Sequence, residues 1–137
     1  MGKKWISLKG NLFLSIFFVI NDIKINHKQF TLLNAFLIKN ILSKYVLKKI
    51  NIKWPNDILS GDKKLAGILV ESSVQKSTTM SIIIGMGINV NQIEFPQLPN
   101  ATSMRLCTAK TYDLNTLILS FLPKLIEGLT HPGKDWD

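Results

Sequence analysis

The chain has 137 residues, which is enough for one domain with a buried core. Its hydrophobic share of 46% and charged share of 19% are typical of a globular protein and exclude a disordered one. The formal charge of +8 suits an anionic partner, such as nucleic acid, an acidic membrane surface or an anionic substrate. The lysines are scattered rather than gathered into a stripe with aromatic residues, which argues against nucleic-acid binding.

Cysteine and histidine are too sparse for a local metal or nucleophile motif. Cys107 is the single cysteine and has no partner for an internal disulfide, which favours a reducing compartment. His27 and His131 stand alone in the sequence, so neither a metal site nor a catalytic triad is predicted from local patterns. We therefore expect a cytoplasmic protein without metal-ligating residues of its own.

The first predicted element is a buried strand over residues 11–20. The apolar run from Leu12 to Ile20 follows two lysines and superficially resembles a signal peptide. Ser15 interrupts the run, no small-residue cleavage site follows it, and it is too short to cross a membrane. Its aromatic and β-branched residues are typical of a strand, so no membrane association is expected.

Two longer helices are predicted. Over residues 29–49, apolar residues recur at close to helical spacing and lysines accumulate toward the C-terminal half, where they complement the helix dipole. Asp113 is placed to cap a second helix that begins near Leu114 and has an apolar stripe as far as Leu129. Pro123 lies inside this second pattern and predicts a kink.

Three further strands are predicted over residues 52–54, 64–71 and 79–88, separated by turns at residues 61–62 and 75–77. Because short turns join these strands, the sheet should be antiparallel or mixed, with helices packed on one face. The predicted fold class is therefore α+β, with a mixed, largely antiparallel sheet.

The most informative motif is Lys-Trp-Pro-Asn-Asp, from Lys53 to Asp57. Pro55 fixes its own φ and pushes Trp54 toward an extended backbone, and the Asn56-Asp57 pair favours a tight turn. A lysine at the end of a strand can reach a phosphate or carboxylate that neighbouring backbone N–H groups hold. Taken singly, each of these residues also fits an ordinary solvated strand end.

Two more motifs follow at short distances. Residues 61–71 read Gly-Asp-Lys-Lys-Leu-Ala-Gly-Ile-Leu-Val-Glu, a polar turn that leads into a mostly apolar strand. Residues 85–91 read Gly-Met-Gly-Ile-Asn-Val-Asn, in which the glycines allow a ligand to approach the backbone closely. In this order and spacing, the three motifs resemble the catalytic core of the biotin protein ligase family. Ala-Thr-Ser-Met at residues 101–104 extends the resemblance.

The resemblance implies the class II synthetase-like fold of biotin and lipoate ligases. It divides the chain into a partial catalytic domain, residues 1–129, and a C-terminal tail, residues 130–137. The implied activity is that of a biotin-[acetyl-CoA-carboxylase] ligase, which joins biotin and ATP into biotinyl-5'-AMP and passes the biotinyl group to a lysine of a biotin carboxyl carrier protein. ATP, Mg²⁺ and biotin are thus implied, whereas nucleic acid and membrane are not.

The resemblance also implies roles for individual residues. Lys53 would be the catalytic residue and would contact both the biotin carboxylate and the α-phosphate of ATP. The reaction brings two anions together, so a positioned cation should supply much of the assistance. Biotin would further be approached closely by the backbone at Gly67, Gly85 and Gly87.

For ATP, the implied contacts are Lys53, Trp5, Asn56 and Asn89. Asn89 matches the asparagine that contacts adenine in the family. Trp5 would cover the adenine, although a core or lid tryptophan explains it equally well.

Asp57 and Lys64 can each be explained in two ways. Asp57 can hold the turn or help to place Mg²⁺, and turn capping is the more economical explanation. Lys64 can meet a phosphate, but a solvated strand lysine is the simpler interpretation.

The resemblance is truncated at both ends. Of the family's glycine- and arginine-rich loop only residues 2–5 correspond, with lysine where arginine is usual, and the serine-bearing segment before it and the C-terminal β-domain are absent. The DNA-binding domain of the family's repressor members is absent too. We therefore expect weak ligase activity from this chain alone, and both a shortened or split gene product and a fragment of a longer enzyme remain open.

Three alternatives belong to other functional classes or branches. A lipoate or octanoate ligase-like protein would share the architecture, but the motifs fit the biotin branch better. A basic nucleic-acid-binding module is disfavoured by the scattered lysines. A folded remnant of a biotin ligase without activity is the third. The oligomeric state, with a homodimer as one option, is left open.

Overall fold

The computed structural model describes residues 10–21, 26–46, 49–75 and 79–130. Trp5 and residues 131–137, which form most of the predicted tail, lie outside these described residues, so the division into a domain and a tail stays a prediction. In chain order the elements are β1 (Leu12–Ile20), α1 (His27–Leu42), β2 (Ile50–Lys53), β3 (Asp57–Ser60), β4 (Lys63–Gln75), β5 (Thr79–Ile88), α2 (Met104–Thr108) and α3 (Leu114–Thr130).

The five described strands form one sheet in the order β1-β5-β4-β3-β2. Each neighbouring pair in this sheet is antiparallel. Short turns join β2 to β3 and β3 to β4, as expected for antiparallel neighbours. The predicted α+β class with a largely antiparallel sheet is confirmed.

The two faces of the sheet differ because side chains alternate along each strand. On β5 the even-numbered residues are buried, whereas Ile83 on the opposite face is exposed. The helix α1 packs against β2, β3 and β4, and α3 packs against α1. The largest fully buried side chains of this core include Phe30, Leu33, Ile38, Ile58, Ile68, Ile82, Ile84 and Phe121. Each such side chain contributes about 1.5–3 kcal/mol through burial, so the core face fixes the sheet in place.

Element boundaries differ from the sequence-based expectation at several points. α1 ends at Leu42 rather than near residue 49, because Ser43 caps it and the chain then turns through backbone bonds to the last carbonyls. Its start is set by Asn26, whose side chain forms a capping box with Gln29. The four-residue strand β3 and the five-residue helix α2 were not predicted, because elements this short leave little periodicity. α3 contains Pro123, as predicted.

Within the described residues, no helix is both long enough and apolar enough to span a membrane. The first apolar run forms the strand β1, as predicted.

Close packing of α1 on α3 depends on Gly128. A Cβ atom at this position would overlap the side chain of Leu37. We expect Gly128→Ala to lower the free energy of unfolding by at most about 1 kcal/mol, because the overlapping atoms are the movable end of the half-buried Leu37 side chain and the gain in helix propensity offsets part of the cost. Urea unfolding measures the change. The double variant with Leu37→Ala should lose less than the sum of the two single losses, and strictly additive losses would contradict the proposed overlap.

The start of α3 is capped by Asp113. Its Oδ2 accepts hydrogen bonds from the hydroxyl of Thr116 at 2.6 Å and from the backbone N–H of Thr116 at 3.1 Å. These two bonds hold the pKa of Asp113 below its usual value of 3.8, and the bond from the hydroxyl has the larger effect. The cap therefore stabilises the fold fully above that usual value and loses this contribution as the pH falls through the lowered pKa.

We expect a titration followed by nuclear magnetic resonance to find the pKa of Asp113 below 3.8. Thr116→Val should raise this pKa, because it removes the hydroxyl donor and keeps the backbone one. A pKa that does not move in the valine variant would show that the hydroxyl bond does not depress it.

Candidate active site

A row of directly paired residues crosses the sheet from β1 to β2. From one edge to the other, the row consists of Phe13, Gly87, Gly67, Asp57 and Lys53. Residues that pair directly across strands share one face of the sheet. Ile58, Ala66 and Met86, which neighbour this row along their strands, are buried on the core side. The row therefore lies on the face opposite α1.

A cavity of about 440 Å³ lies over this row and all five row residues line it. Gly67 and Gly87 place no side chains at its centre, so a trough runs between the Phe13 ring and the charged groups of Asp57 and Lys53. The segment after β5 supplies a further wall that includes Phe95 and Leu98. The arrangement suits a ligand with an apolar body and an anionic end.

The charged end of the cavity holds two cations and two carboxylates. Lys53, Asp57, Asp62 and Lys64 all line it. The Nζ atom of Lys64 lies 3.2 Å from Oδ1 of Asp57, with the lysine 42% and the aspartate 20% exposed. Both cations are thus placed where an entering phosphate or carboxylate can meet them.

Asn89 is held in the cavity wall by a set of hydrogen bonds. Its backbone N–H donates to the carbonyl of Leu65 at 2.9 Å, and its side-chain Nδ2 donates to the carbonyl of Thr102 at 3.0 Å. The carbonyl of Asn89 accepts from the backbone N–H of Met104 at 2.9 Å. The Ala-Thr-Ser-Met motif therefore has a structural role, because it anchors Asn89 beside the trough.

The structure brings four of the predicted site residues together. Lys53, Gly67, Gly87 and Asn89 line the same cavity. Gly85 lies on the same face of β5 one row farther along, paired with Leu69 and Ser15, and is not part of that lining.

Asn56 lies elsewhere. It lines a second cavity of about 300 Å³ together with Trp54 and the start of α1, and its carbonyl accepts from the backbone N–H of Ile68 at 2.9 Å. Trp5 lies outside the described residues. The ligand contacts of all these residues stay predictions.

Sequence reasoning missed Phe13 and the wall formed by Phe95 and Leu98. Phe13 belongs to the site because it pairs with Gly87, and strand register cannot be read from the local pattern. The wall lies in the segment between β5 and α2, and backbone bonds from Asn100 and Thr102 to Lys64, far away in the sequence, hold this segment in place. The Ala-Thr-Ser-Met motif, at residues 101–104 just after this wall, is the sequence feature that could have indicated an anchored segment here.

Among the described residues, no group of three or more His, Cys, Asp or Glu side chains could hold a metal ion. Asp57 and Asp62 nevertheless present carboxylates to the cavity. Mg²⁺ in nucleotide sites is commonly bound by one or two carboxylates together with substrate phosphates. The described residues therefore fit Mg²⁺ that is bound together with a nucleotide, and they do not fit a metal held by protein ligands alone.

Residues 1–89 match the Biotin/lipoate A/B protein ligase family. The chain belongs to this family. It is 38% identical over 90 residues to the bifunctional ligase/repressor BirA of Escherichia coli (strain K12), covering 65% of this chain and 28% of that protein. It is 34% identical over 140 residues to the BirA of Bacillus subtilis (strain 168), covering 96% of this chain and 43% of that protein. This member of the ligase family thus spans less than half the length of these curated relatives.

The fold agrees with this membership. The structure of a biotin protein ligase from Aquifex aeolicus in complex with biotin and ATP superposes with a TM-score of 0.76 at 32% identity, covering 94% of this chain and 54% of that one. A biotin protein ligase from Leishmania major, at 21% identity and a TM-score of 0.73, shows the same fold. The α+β fold of the biotin protein ligase catalytic core, inferred from the motifs, is confirmed.

Proposed function

We propose that this chain takes part in the reaction of a biotin-[acetyl-CoA-carboxylase] ligase. ATP activates biotin as biotinyl-5'-AMP, and the biotinyl group passes to a lysine of a biotin carboxyl carrier protein. The observation that carries the proposal is the row of paired residues, in which Lys53 lies at the charged end of a trough with Gly67 and Gly87 at its base. Sequence relatives that include biotin-[acetyl-CoA-carboxylase] ligases of Paracoccus denitrificans and Mycobacterium tuberculosis support it.

The shape of the trough fits biotin as a ligand. Biotin has an apolar body and side chain that end in a carboxylate. Its body would lie over Gly67 and Gly87 against the ring of Phe13, where no side chain fills the centre of the row. Its carboxylate would then point toward Lys53 at the far end, so one ammonium group both orients the acid and compensates its charge.

Lys53 would assist both chemical steps. In the first, a carboxylate oxygen of biotin attacks the α-phosphorus of ATP, and the bond from that phosphorus to the bridging oxygen breaks, releasing pyrophosphate. In the second, the neutral amine of the carrier lysine attacks the acyl carbon, AMP leaves, and the amine loses a proton. Negative charge develops on phosphoryl and acyl oxygens in these steps, and a fixed cation stabilises it.

The nucleotide would occupy the side of the cavity near Asn89. Hydrogen bonds to Thr102, Leu65 and Met104 hold Asn89, so its amide can meet the adenine without further ordering. Trp5 is retained as the predicted adenine cover, and Asn56 as a predicted ATP contact whose observed place is the second cavity. Mg²⁺ would accompany the phosphates, with Asp57 or Asp62 as the available protein ligands, and would neutralise phosphate charge.

The partner in the second step is the carrier protein, and the predicted location is the cytoplasm, where ATP and carboxylases are found together. A lipoate or octanoate ligase reaction is not favoured, because the sequence relatives named above are BirA proteins and biotin ligases. The chain spans 54% of the Aquifex enzyme, so the activity of a whole ligase is a proposal for this chain.

The first test replaces Lys53. We expect Lys53→Met to lower the rate of biotinyl-5'-AMP formation by about 100- to 1,000-fold, the cost of removing one donor to a developing negative charge. The measurement follows radiolabelled ATP with biotin, lipoate or octanoate as the acid. Lys110→Met, which removes the same charge from an exposed site outside the cavity lining, is the matched control. A wild-type chain that forms no adenylate and binds neither biotin nor ATP would overturn the proposed function.

A second test concerns Gly85, the predicted biotin contact outside the cavity lining. A Cβ here would meet nothing closer than the carbonyl of Leu69 at 3.8 Å, so the protein itself accommodates alanine. We expect Gly85→Ala to change the free energy of unfolding by less than about 1 kcal/mol. If biotin lies against this backbone, its affinity by calorimetric titration should fall about tenfold or more, the effect of about 1.4 kcal/mol.

Ser81→Ala is the matched control, since Ser81 lies on the same face of β5 four residues away. An unchanged affinity for biotin in Gly85→Ala would remove Gly85 from the site and leave the trough over Gly67 and Gly87 as the candidate.

A further inference from the structure

A β-bulge in β4 places Lys64 on the face of the cavity. Asp57 pairs with Gly67 and Ile58 with Ala66, but the next residue, Leu59, pairs with Lys64. Leu65 is therefore an extra residue in β4, and it is fully buried. Without this bulge, strict alternation from Gly67 would turn Lys64 toward the core. The bulge thus puts a second cation in the cavity.

The backbone of Lys64 is anchored on both sides of its Cα atom. Its N–H donates to the carbonyl of Asn100 at 2.7 Å, and its carbonyl accepts from the N–H of Thr102 at 2.8 Å. A parallel bridge joins it to Ala101 between them. The segment that holds Lys64 is also the segment that forms the cavity wall, so the stem of this lysine begins at a fixed position.

The ammonium group of Lys64 has an exchangeable partner. It lies 3.2 Å from Asp57, and the lysine side chain is 42% exposed. Water reaches the lysine end of this pair and screens it there, whereas the Asp57 oxygen is buried, so the pair is only partly screened. A phosphate group carries more charge than a carboxylate and makes stronger bonds to a cation. The exposed ammonium group of Lys64 can therefore turn to an entering phosphate, whose stronger bonds offset the weakened pair with Asp57.

The two cations stand on either side of Asp57. Lys53 is on β2 and Lys64 on β4, with β3 between them. Strands two apart are separated by about 10 Å, a distance that two lysine side chains span easily from both ends. One extended polyphosphate can therefore touch both ammonium groups at once.

We propose that Lys64 binds the β- and γ-phosphates of ATP and holds the pyrophosphate as it leaves, while Lys53 serves the α-phosphate and the acid. This rests on the proposed function and deepens it. When the acid oxygen bonds to the α-phosphorus, the bridging oxygen departs with the bonding electrons and remains on pyrophosphate. Lys64 stabilises that charge without giving up its proton.

The test titrates the chain with inorganic tripolyphosphate, with ATP and with biotin in separate calorimetric experiments. We expect Lys64→Met to weaken tripolyphosphate and ATP binding by about 10- to 100-fold, the usual range for a charged hydrogen bond, and to leave biotin binding unchanged. Lys64→Arg should restore most of the affinity. Lys63→Met is the matched control, because it removes the same charge one residue away from an exposed side chain outside the cavity lining.

Steady-state kinetics can show whether Lys64 contacts phosphate or has only a structural role. Lys64→Met should raise the KM for ATP and weaken inhibition by pyrophosphate, while the KM for biotin stays the same. In calorimetric titrations without Mg²⁺, Asp57→Asn should tighten tripolyphosphate binding more than Asp62→Asn does, because Asp57 forms the ion pair with Lys64.

Equal losses in Lys64→Met and Lys63→Met would overturn the proposal, since they would reflect net charge alone. Unchanged tripolyphosphate affinity in Lys64→Met would overturn it too, while biotin binding and adenylate formation by the wild type would leave the proposed function intact. If instead tripolyphosphate binding depends on Lys64 and no acid is activated, the phosphate contact stands and the biotin ligase function fails.

Discussion

The pairing of Gly67 with Gly87 in the middle of the sheet is the constraint on which the rest of the site depends. This register sets two positions without side chains opposite each other and aligns Phe13 and Asp57 beside them. Because side chains alternate along a strand, a shift of one residue between β4 and β5 would put the two glycines on opposite faces of the sheet. The trough exists only in the observed register.

The same strands that carry the glycines also supply the core. Glycine in a strand weakens it, because it adds no packing and loses more backbone entropy on folding. On the opposite face, Ile68, Ile82 and Ile84 are almost completely buried beneath the helices. This buried face offsets the cost of the glycines and holds the register in which they are useful. Stability and ligand access are therefore divided between the two faces of one sheet.

The charged end of the cavity is organised by a carboxylate between two cations. Lys53 and Lys64 come from strands on either side of β3, which carries Asp57. Asp57 is the strand-pairing partner of Lys53 and forms an ion pair with Lys64. Two ammonium groups alone would repel each other in the free protein. Asp57 reduces that repulsion and still leaves both cations within reach of an anionic ligand.

Much of the fold and part of the site follow from local sequence. The run Leu12–Ile20 predicts its strand, the apolar stripe from Leu114 predicts α3, and three short motifs identify the family whose fold the structure has. Lys53, Gly67, Gly87 and Asn89 were found in this way, because motif residues keep their order and spacing in the chain.

Tertiary structure decided what local patterns do not encode. β3 is too short to leave a pattern, and α1 ends at Ser43 through hydrogen bonds that the spacing of apolar residues does not reveal. The place of Phe13 in the row and the bulge at Leu65 depend on pairing between segments far apart in sequence or shifted by one residue. The sequence by itself therefore determined the family, the fold class and the position of Lys53 at the end of a strand. Only the folded sheet decided which residues face that cation, because register is set by packing of the whole core and not by any one segment.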